Sequence, residues 1–245
     1  MDALGQVTGL WRYPVSSLAG EPMPALFVTG QGSDGDRLYG LVDTASGEIA
    51  RPDTVAKWHL VPRIRTRLGS DRRLEIAVPG GAWIAAPGRQ CDQAISTFLG
   101  FEAAIRPFAG EGPAGYDGAF TAARYEKAPV HLLTTASLAR LKALHPTGDP
   151  DPRRFRPSML VDMPEVEGAF PESAWLGRRI AIGEVELTVT EPCRRCGFTI
   201  IAQEGIDHDP DILRTLVRHN AHNLGVYCTV DQPGEVGLNA PLRFI

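Results

Sequence analysis

The sequence predicts a mainly β protein with a few helices, an α+β fold organised around a β-barrel. Three observations predict this class. Short apolar or alternating runs dominate the chain, turn-forming residues separate these runs, and only three segments show helical periodicity. The 26 glycines and 20 prolines among 245 residues also favour many tight connections over long helices.

Nine runs are typical of strands because they are short, apolar or alternating, and bounded by glycine, proline or aspartate. They are residues 7–15, 25–29, 38–42, 74–78, 130–133, 159–161, 185–189, 198–201 and 225–230.

Three segments are predicted as helices. Residues 92–99 place Ile95 and Phe98 on one face, residues 135–144 begin with a hydroxyl cap, and residues 209–220 open with an aspartate cap followed by proline. The glycine-rich stretch 110–118 predicts a boundary between two domains, residues 1–115 and residues 116–245.

The balance of charges excludes several classes of protein. Lysine and arginine number 25 against 29 acidic residues, a net charge of −4, whereas nucleic-acid and membrane-surface proteins carry a basic excess. No apolar stretch approaches the ~20 residues of a membrane helix, and the first residues lack the pattern of a signal peptide. Four cysteines with one close pair do not form a disulfide framework, so a reducing cytoplasm is the expected compartment.

The glycine pattern at residues 30–35 formally matches a dinucleotide-binding fingerprint. That fingerprint requires a helix immediately after the glycines, because the helix N-terminus holds the pyrophosphate. Asp36 and Arg37 instead lead into the predicted strand at residues 38–42. The sequence therefore predicts a hairpin connection and no nucleotide site here.

The pair Cys193-x-x-Cys196 allows three kinds of chemistry. A thioredoxin-like pair requires a following helix, which the predicted strand 198–201 excludes. A zinc site would draw on His219 and His222, at spacings unlike those of ordinary zinc fingers. A single thiolate bound to a soft transition metal is the third possibility, with Arg194 and Arg195 serving an anionic ligand. The motif alone leaves these alternatives open.

Arginine supplies almost all basic charge, since the chain has only three lysines. Arginines stand at three junctions between predicted loops and strands: at Arg37, at residues 153–156, and between the two cysteines. Planar guanidinium groups pair with phosphate through two parallel hydrogen bonds. If these segments meet in space, the sequence predicts a pocket for a phosphate-bearing metal cofactor.

Six short motifs, in register over most of the chain, resemble those of MOSC proteins (molybdenum cofactor sulfurase C-terminal domain). The motifs are residues 11–21, with Trp-Arg-Tyr-Pro-Val-Ser-Ser; Gly-Asp-Arg at 35–37; Pro-Val-His-Leu-Leu at 129–133; Arg-Phe-Arg-Pro at 154–157; Trp-Leu-Gly-Arg-Arg at 175–179; and Cys-Arg-Arg-Cys at 193–196. The chain resembles the two-part MOSC proteins that include the mitochondrial amidoxime-reducing component and its bacterial relatives, with an N-terminal β-barrel followed by the MOSC domain.

The resemblance implies a molybdenum cofactor (molybdopterin) whose metal is held by one protein thiolate, the catalytic ligand Cys196. Positions that contact the cofactor in the family correspond to Ser16, Ser17, Arg37, Arg156, Ser158 and Arg194. Two of them depart from the family pattern, since Ser16 replaces a lysine and Ser158 replaces an asparagine. Lys127 is a candidate for restoring the charge lost at position 16.

The resemblance further implies an oxidoreductase that reduces small N-hydroxylated compounds. Its electrons would come from a separate flavin or iron–sulfur protein, and neither nucleic acid nor membrane is expected as a partner. An alternative is a carrier without turnover, which would deliver the cofactor or hold a persulfide on Cys196 or Cys193. A zinc-bound structural module is the third hypothesis.

Overall fold

The computed structural model describes residues 3–113, 115–123 and 130–245. Its strands, β1 to β16 in chain order, are Gly5–Arg12, Glu21–Pro22, Ala25–Thr29, Gly32–Ser33, Tyr39–Asp43, Arg65–Leu68, Leu74–Ala77, Ile84–Ala86, Ala103–Pro107, Val130–Thr134, Met159–Asp162, Arg179–Ile182, Val185–Arg194, Asn223–Gln232, Gly234–Gly237 and Pro241–Phe244. The α-helices α1 to α3 are Arg89–Leu99, Thr135–Leu144 and Pro210–Asn220.

Seven strands form a closed barrel, which confirms the predicted fold class. They pair in the order β11-β10-β14-β13-β12-β16-β1, and β1 returns to pair with β11. The pairing of β10 with β11 is parallel because α2 connects the two strands as a crossover. Alternate residues of these strands fill the barrel interior, among them Val130, Leu132, Val226 and Cys228.

A second core lies in residues 15–105, around the fully buried Trp58. It is enclosed by two small sheets, β5-β9 and β6-β7-β8, and by the apolar face of α1. Strand β1, from the N-terminal half of the chain, pairs with β11 and β16 of the C-terminal half, so the barrel contains strands from both halves. The predicted division between residues 115 and 116 remains a prediction.

Helices α2 and α3 cover the outside of the barrel, where Leu141, Ile212 and Leu216 pack together. The predicted bounds of α2 are confirmed, with Thr134 as the cap accepting a hydrogen bond from the Ser137 amide at 3.1 Å. Helix α3 begins at Pro210 behind the predicted Asp209 cap. Helix α1 begins three residues before the prediction, because Gly88 precedes it and offers no side-chain cap to mark its start.

Eight of the nine predicted strands overlap observed strands, and the ninth prediction is wrong. Residues Gly197–Ile200 form a 3-10 turn, in which the Thr199 amide donates to the Cys196 carbonyl at 3.2 Å. Phe198 and Thr199 are both buried, so the run cannot alternate between core and solvent as an exposed strand would. Tertiary burial outweighs the strand preference of this short run.

As predicted, no helix follows the glycine-rich segment 30–35, but the predicted hairpin between residues 25–29 and 38–42 is wrong: β3 pairs antiparallel with β4, which lies inside the segment, and β5 pairs with β9. No helix within the described ranges is long and apolar enough to span a membrane.

Candidate functional site

A cleft of about 340 Å³ lies where the barrel meets the second core. Its walls come from both halves of the chain, with Ser16 and Arg37 from the first half and His131, Cys196 and Tyr227 from the second. This volume lies within the range of small-molecule sites. The lining residues are Ser16, Ser17, Arg37, Ile49, Ala50, Pro52, Asp53, Phe108, Ala123, His131, Phe155, Arg156, Arg194, Arg195, Cys196, Phe198 and Tyr227.

Cys196 is the exposed thiol of this cleft, whereas the other three cysteines are buried. It stands between the end of β13 and the 3-10 turn that begins at Gly197. A Cβ atom on Gly197 would lie 2.4 Å from the Asp53 carbonyl oxygen, so only glycine permits this close approach of the two segments. The glycine therefore lets the Cys196 loop pack directly against the opposite wall.

Three cleft residues adopt left-handed backbone conformations, which residues other than glycine rarely take. They are Ser17 with φ 70°, Arg37 with φ 51° and Arg156 with φ 53°. Such conformations cost on the order of 1–3 kcal/mol each and persist where surrounding structure fixes them. At Arg37, the backbone amide donates to the Tyr13 carbonyl at 2.8 Å. Three of the seven non-glycine residues with positive φ among the described residues therefore line the cleft.

Arg156 reaches the cleft above an aromatic platform. Its guanidinium carbon lies 4.1 Å from the centre of the Tyr13 ring, and its Nη1 donates to the Leu18 carbonyl. Its Nη2 is buried and has no hydrogen-bond partner among the described residues. Burial, together with the like charges of Arg37 and Arg195, lowers the pKa of Arg156 to about 10. Arg156 therefore stays charged at neutral pH, with one donor unpaired.

Arg37 is paired with a neighbouring carboxylate. Its Nη1 donates to Asp36 Oδ2 at 2.6 Å, and Asp36 raises the pKa of Arg37 above its ordinary value. The other Asp36 oxygen accepts from the Tyr13 amide at 2.6 Å. Asp36 thus fixes both the backbone beneath Arg156 and the guanidinium of Arg37.

Cys193 lies buried behind the cleft wall, beside Arg195. Arg195 Nη1 donates to the Cys193 sulfur at 2.5 Å, and Arg195 Nη2 donates to the Phe155 carbonyl at 2.6 Å. Burial opposes ionisation of the Cys193 thiol, but the charges of Arg195 and His131 outweigh it and lower its pKa to about 6. Tyr227 also hydrogen-bonds to this sulfur, and its own pKa is raised, mainly by burial and then by Cys193.

His131 lies beside this group, with its ring centre 5.6 Å from that of Tyr227. Its Nδ1 lies 3.1 Å from the Arg156 carbonyl, which can only accept, so Nδ1 carries the hydrogen. A Cβ on Gly225, whose φ is +79°, would lie 2.3 Å from His131 Nε2. Glycine at this position makes room for the imidazole, which lies beside the Cys193 sulfur and hydrogen-bonds to it.

The structure brings most of the predicted site residues together. Cys196 lines the same cleft as the predicted contacts Ser16, Ser17, Arg37, Arg156 and Arg194. Ser158 is not among the lining residues; it is buried, and its hydroxyl accepts from the His131 amide at 3.3 Å. Lys127 lies outside the described residues.

The zinc hypothesis is wrong. Among the described residues, no three histidine, cysteine or acidic side chains gather closely enough to hold a metal ion. Cys193 is directed into the interior beside Arg195, while Cys196 is exposed, so the two sulfurs do not form half of a tetrahedral site.

Sequence reasoning missed several cleft residues, above all His131, Tyr227 and the aromatic pair Phe155 and Phe198. His131 and Tyr227 are directly opposite each other across the β10–β14 pairing. A signal existed in the alternation of β14, which places Tyr227 on the face opposite Val226 and Cys228. The pairing that brings it beside His131 could not be found without the fold.

The fold and the cleft together define a β-barrel protein whose site combines one exposed thiol with several arginines from separate segments. The family model "MOSC domain" matches residues 114–243, and the model "MOSC N-terminal beta barrel domain" matches residues 4–111. The chain therefore belongs to the MOSC family, and the resemblance predicted from its motifs is confirmed.

The individual proteins that resemble this chain have low sequence identity to it or match only part of it. The mitochondrial amidoxime-reducing component 1 of Danio rerio is 34% identical over 126 residues, which cover 48% of this chain and 37% of that protein. The match thus spans little more than a third of the relative's length. The crystal structure of the YUAD protein from Bacillus subtilis is 14% identical, with a TM-score of 0.49 over 97% of this chain and 93% of that one. YiiM from Geobacillus stearothermophilus is 15% identical, with a TM-score of 0.37 over 48% and 54% of the two chains.

Proposed function

We propose that this protein is a molybdenum-cofactor-dependent oxidoreductase that reduces small N-hydroxylated compounds with electrons from a separate flavin or iron–sulfur protein. The observation that carries the proposal is the convergence of Cys196 with Arg37, Arg156 and Arg194 in one cleft. These residues come from three segments far apart in sequence. The name of the Danio rerio relative supports the choice of substrate, because an amidoxime contains an N-hydroxyl group.

The chemistry of the cleft fits this cofactor. A soft thiolate such as that of Cys196 suits a sulfur-rich molybdenum site. The buried donors Arg156 Nη2 and Arg195 Nε have no partner among the described residues, and phosphate or pterin oxygens would satisfy them. Arg156 and Arg37 are both charged at neutral pH, as the binding of an anionic group requires.

The residues of this chain would bind and orient, and the bound cofactor would supply the two-electron chemistry that removes oxygen from the N–OH group. Arg37, Arg156 and Arg194 would hold the anionic end of the cofactor, while Cys196 would bind the metal. Phe155 and Phe198 form an apolar part of the wall beside the arginines.

Turnover tests this proposal. Protein produced in a host that makes the cofactor is supplied with an artificial electron donor and an aromatic amidoxime, and the amidine product is quantified. We expect amidine formation by the wild type, none by Cys196→Ser, and wild-type turnover by Cys91→Ser, whose thiol is buried in the second core. Cofactor-loaded wild type that forms no amidine would contradict the proposal.

A second candidate follows from the exposure of Cys196, since an accessible thiol can carry a persulfide. The uncharged Ser16 in the cleft also suits a protein that releases its cofactor rather than keeping it. Cys193 is fully buried, which leaves Cys196 as the carrier. A persulfide mass increment on the wild type that is absent from Cys196→Ser, without amidoxime turnover, would favour this candidate.

A further inference from the structure

The buried sulfur of Cys193 has no part in the proposed chemistry, yet it lies in direct contact with a cleft arginine. Its side chain is fully inaccessible to solvent, and Arg195 Nη1 lies 2.5 Å from it. The second Arg195 nitrogen, Nη2, is held by the Phe155 carbonyl at 2.6 Å. Arg195 is therefore fixed at two points, one of which is the sulfur.

The other buried cysteines provide an internal comparison. Cys91 and Cys228 lie in the two hydrophobic cores, where burial raises the pKa of each thiol to about 12. Cys193 is equally buried and differs by having Arg195 and His131 beside it. Its environment is that of a buried anion, whereas theirs is that of a neutral thiol.

We propose that Cys193 is a positioning residue whose thiolate pairs with Arg195 and sets the net charge that the cleft presents to an anionic ligand. This deepens the proposed function, because the same arginines would hold the anionic end of the cofactor. Cys193 is not itself among the lining residues, and it acts on the cleft through its neighbours Arg195, His131 and Tyr227. The two cysteines of the motif thus have separate tasks: Cys196 faces the ligand, and Cys193 offsets the positive charge of Arg195.

The charged groups around the sulfur come from several elements. Arg195 lies two residues after Cys193, His131 stands on β10, Tyr227 on β14, and Arg37 follows β4. Asp36 compensates the charge of Arg37. Cys193 has the same function for Arg195, so its removal would leave one more uncompensated positive charge at the cleft. Because Phe155 still holds Nη2, the guanidinium would stay in place.

Sulfate is the probe that tests this role, since it keeps its charge throughout the accessible pH range and needs no metal. Its dissociation constant is measured by calorimetry at low ionic strength on the cofactor-free full chain. We expect Cys193→Ala to bind sulfate about tenfold more tightly than the wild type at pH 8. The difference should close as the pH falls below about 6, where the wild-type sulfur takes up a proton. Cys228→Ala, the matched control, should follow the wild type at every pH.

A second, spectroscopic measurement detects the Cys193 thiolate in the wild type itself, so the proposal can be tested even if the variant misfolds. The ultraviolet absorbance of the wild type at pH 8 should exceed that of Cys193→Ala by one thiolate, whereas Cys228→Ala should show no loss. Absence of that thiolate signal, or equal sulfate affinities of wild type and Cys193→Ala at pH 8, would overturn the inference. Neither measurement requires molybdenum, so their failure is distinguishable from a failure of the proposed enzyme activity.

Discussion

The guanidinium of Arg156 stacks on the ring of Tyr13, with its central carbon 4.1 Å from the ring centre. The Tyr13 hydroxyl donates to the Pro157 carbonyl at 3.1 Å, and burial raises its pKa above the ordinary value. One side chain near the start of the chain thus supports a loop 144 positions later. The arrangement explains how two distant motifs build one wall of the cleft.

Variants of Tyr13 should separate the contribution of the hydroxyl from that of the ring. Tyr13→Phe removes the hydrogen bond to Pro157 and should lower the free energy of unfolding by about 1 kcal/mol, with sulfate affinity retained. Tyr13→Ala also removes the platform under Arg156 and should cost about 3–5 kcal/mol and weaken sulfate binding. Urea unfolding and calorimetry measure both effects. Equal sulfate affinities for Tyr13→Ala and Tyr13→Phe would show that the ring does not position Arg156.

Arg154 should be far more important for stability than its neighbour Arg153. It is buried, and its guanidinium donates to the carbonyls of Asp149, Thr199 and Asp207 at 2.8, 3.2 and 2.6 Å. Arg154→Met leaves these oxygens unpaired and should cost about 3 kcal/mol or more. Arg153→Met, which removes an exposed pair with Asp151, should cost less than about 1 kcal/mol. Denaturant midpoints of the two variants provide the comparison, and similar losses would contradict it.

Two buried cysteines, Cys193 and Cys228, should make the free energy of unfolding depend on pH in opposite directions. The pKa of Cys193 is lowered to about 6 in the folded state, against about 8.5 when unfolded, so the unfolded state binds more protons between these values. The contribution of Cys193 is therefore fully present above about pH 8.5 and is lost as the pH falls through about 6.

Cys228 has the opposite sign, because its pKa is raised to about 12. The unfolded state loses its proton first, so stability falls as the pH rises above about 8.5. Urea unfolding of wild type, Cys193→Ala and Cys228→Ala between pH 6 and about 9.5 measures both slopes, each at most about 1.4 kcal/mol per pH unit. A wild type and Cys193→Ala that differ equally at all pH values would contradict the thiolate assignment.

Ser16→Lys should increase the affinity of the cleft for anions. Ser16 lines the same cleft as Arg156, and a lysine there adds one positive charge to the wall. We expect sulfate to bind about threefold to tenfold more tightly at low ionic strength, with the gain reduced by added salt. Ser46→Lys, in the exposed turn after β5, is the control for net charge and should leave the affinity unchanged. Equal gains in both variants would indicate a general charge effect.

The sequence predicts those features that depend on local patterns. The bounds of helix α2 were predicted to the residue from a hydroxyl cap and the apolar spacing, although the capping side chain is that of Thr134, one residue before the predicted start. The 3-10 turn at Gly197–Ile200 was missed because its cause is burial of Phe198 and Thr199 against distant segments. Local propensity contains no information about such contacts.

The sequence predicted several residues of the cleft but not the side chains that support them. The resemblance of their motifs to those of MOSC proteins singled out Cys196, Arg37 and Arg156, which the structure brings into one cleft. The roles of Tyr13 and Cys193 depend on contacts that only the fold creates: a ring under a guanidinium and a sulfur behind an arginine. Ser158 shows the converse, since a motif residue turns toward the His131 backbone rather than the cleft.

The molybdenum content of freshly purified protein tests the central claim most directly. Wild type, Cys196→Ser and the buried control Cys228→Ala are produced together in a cofactor-making host, and molybdenum and pterin are quantified per chain. The account predicts near-stoichiometric molybdenum with pterin in wild type and Cys228→Ala, and loss of the metal from Cys196→Ser. Equal molybdenum in Cys196→Ser and wild type, or its absence from all three proteins, would contradict the assignment of Cys196 as the metal ligand.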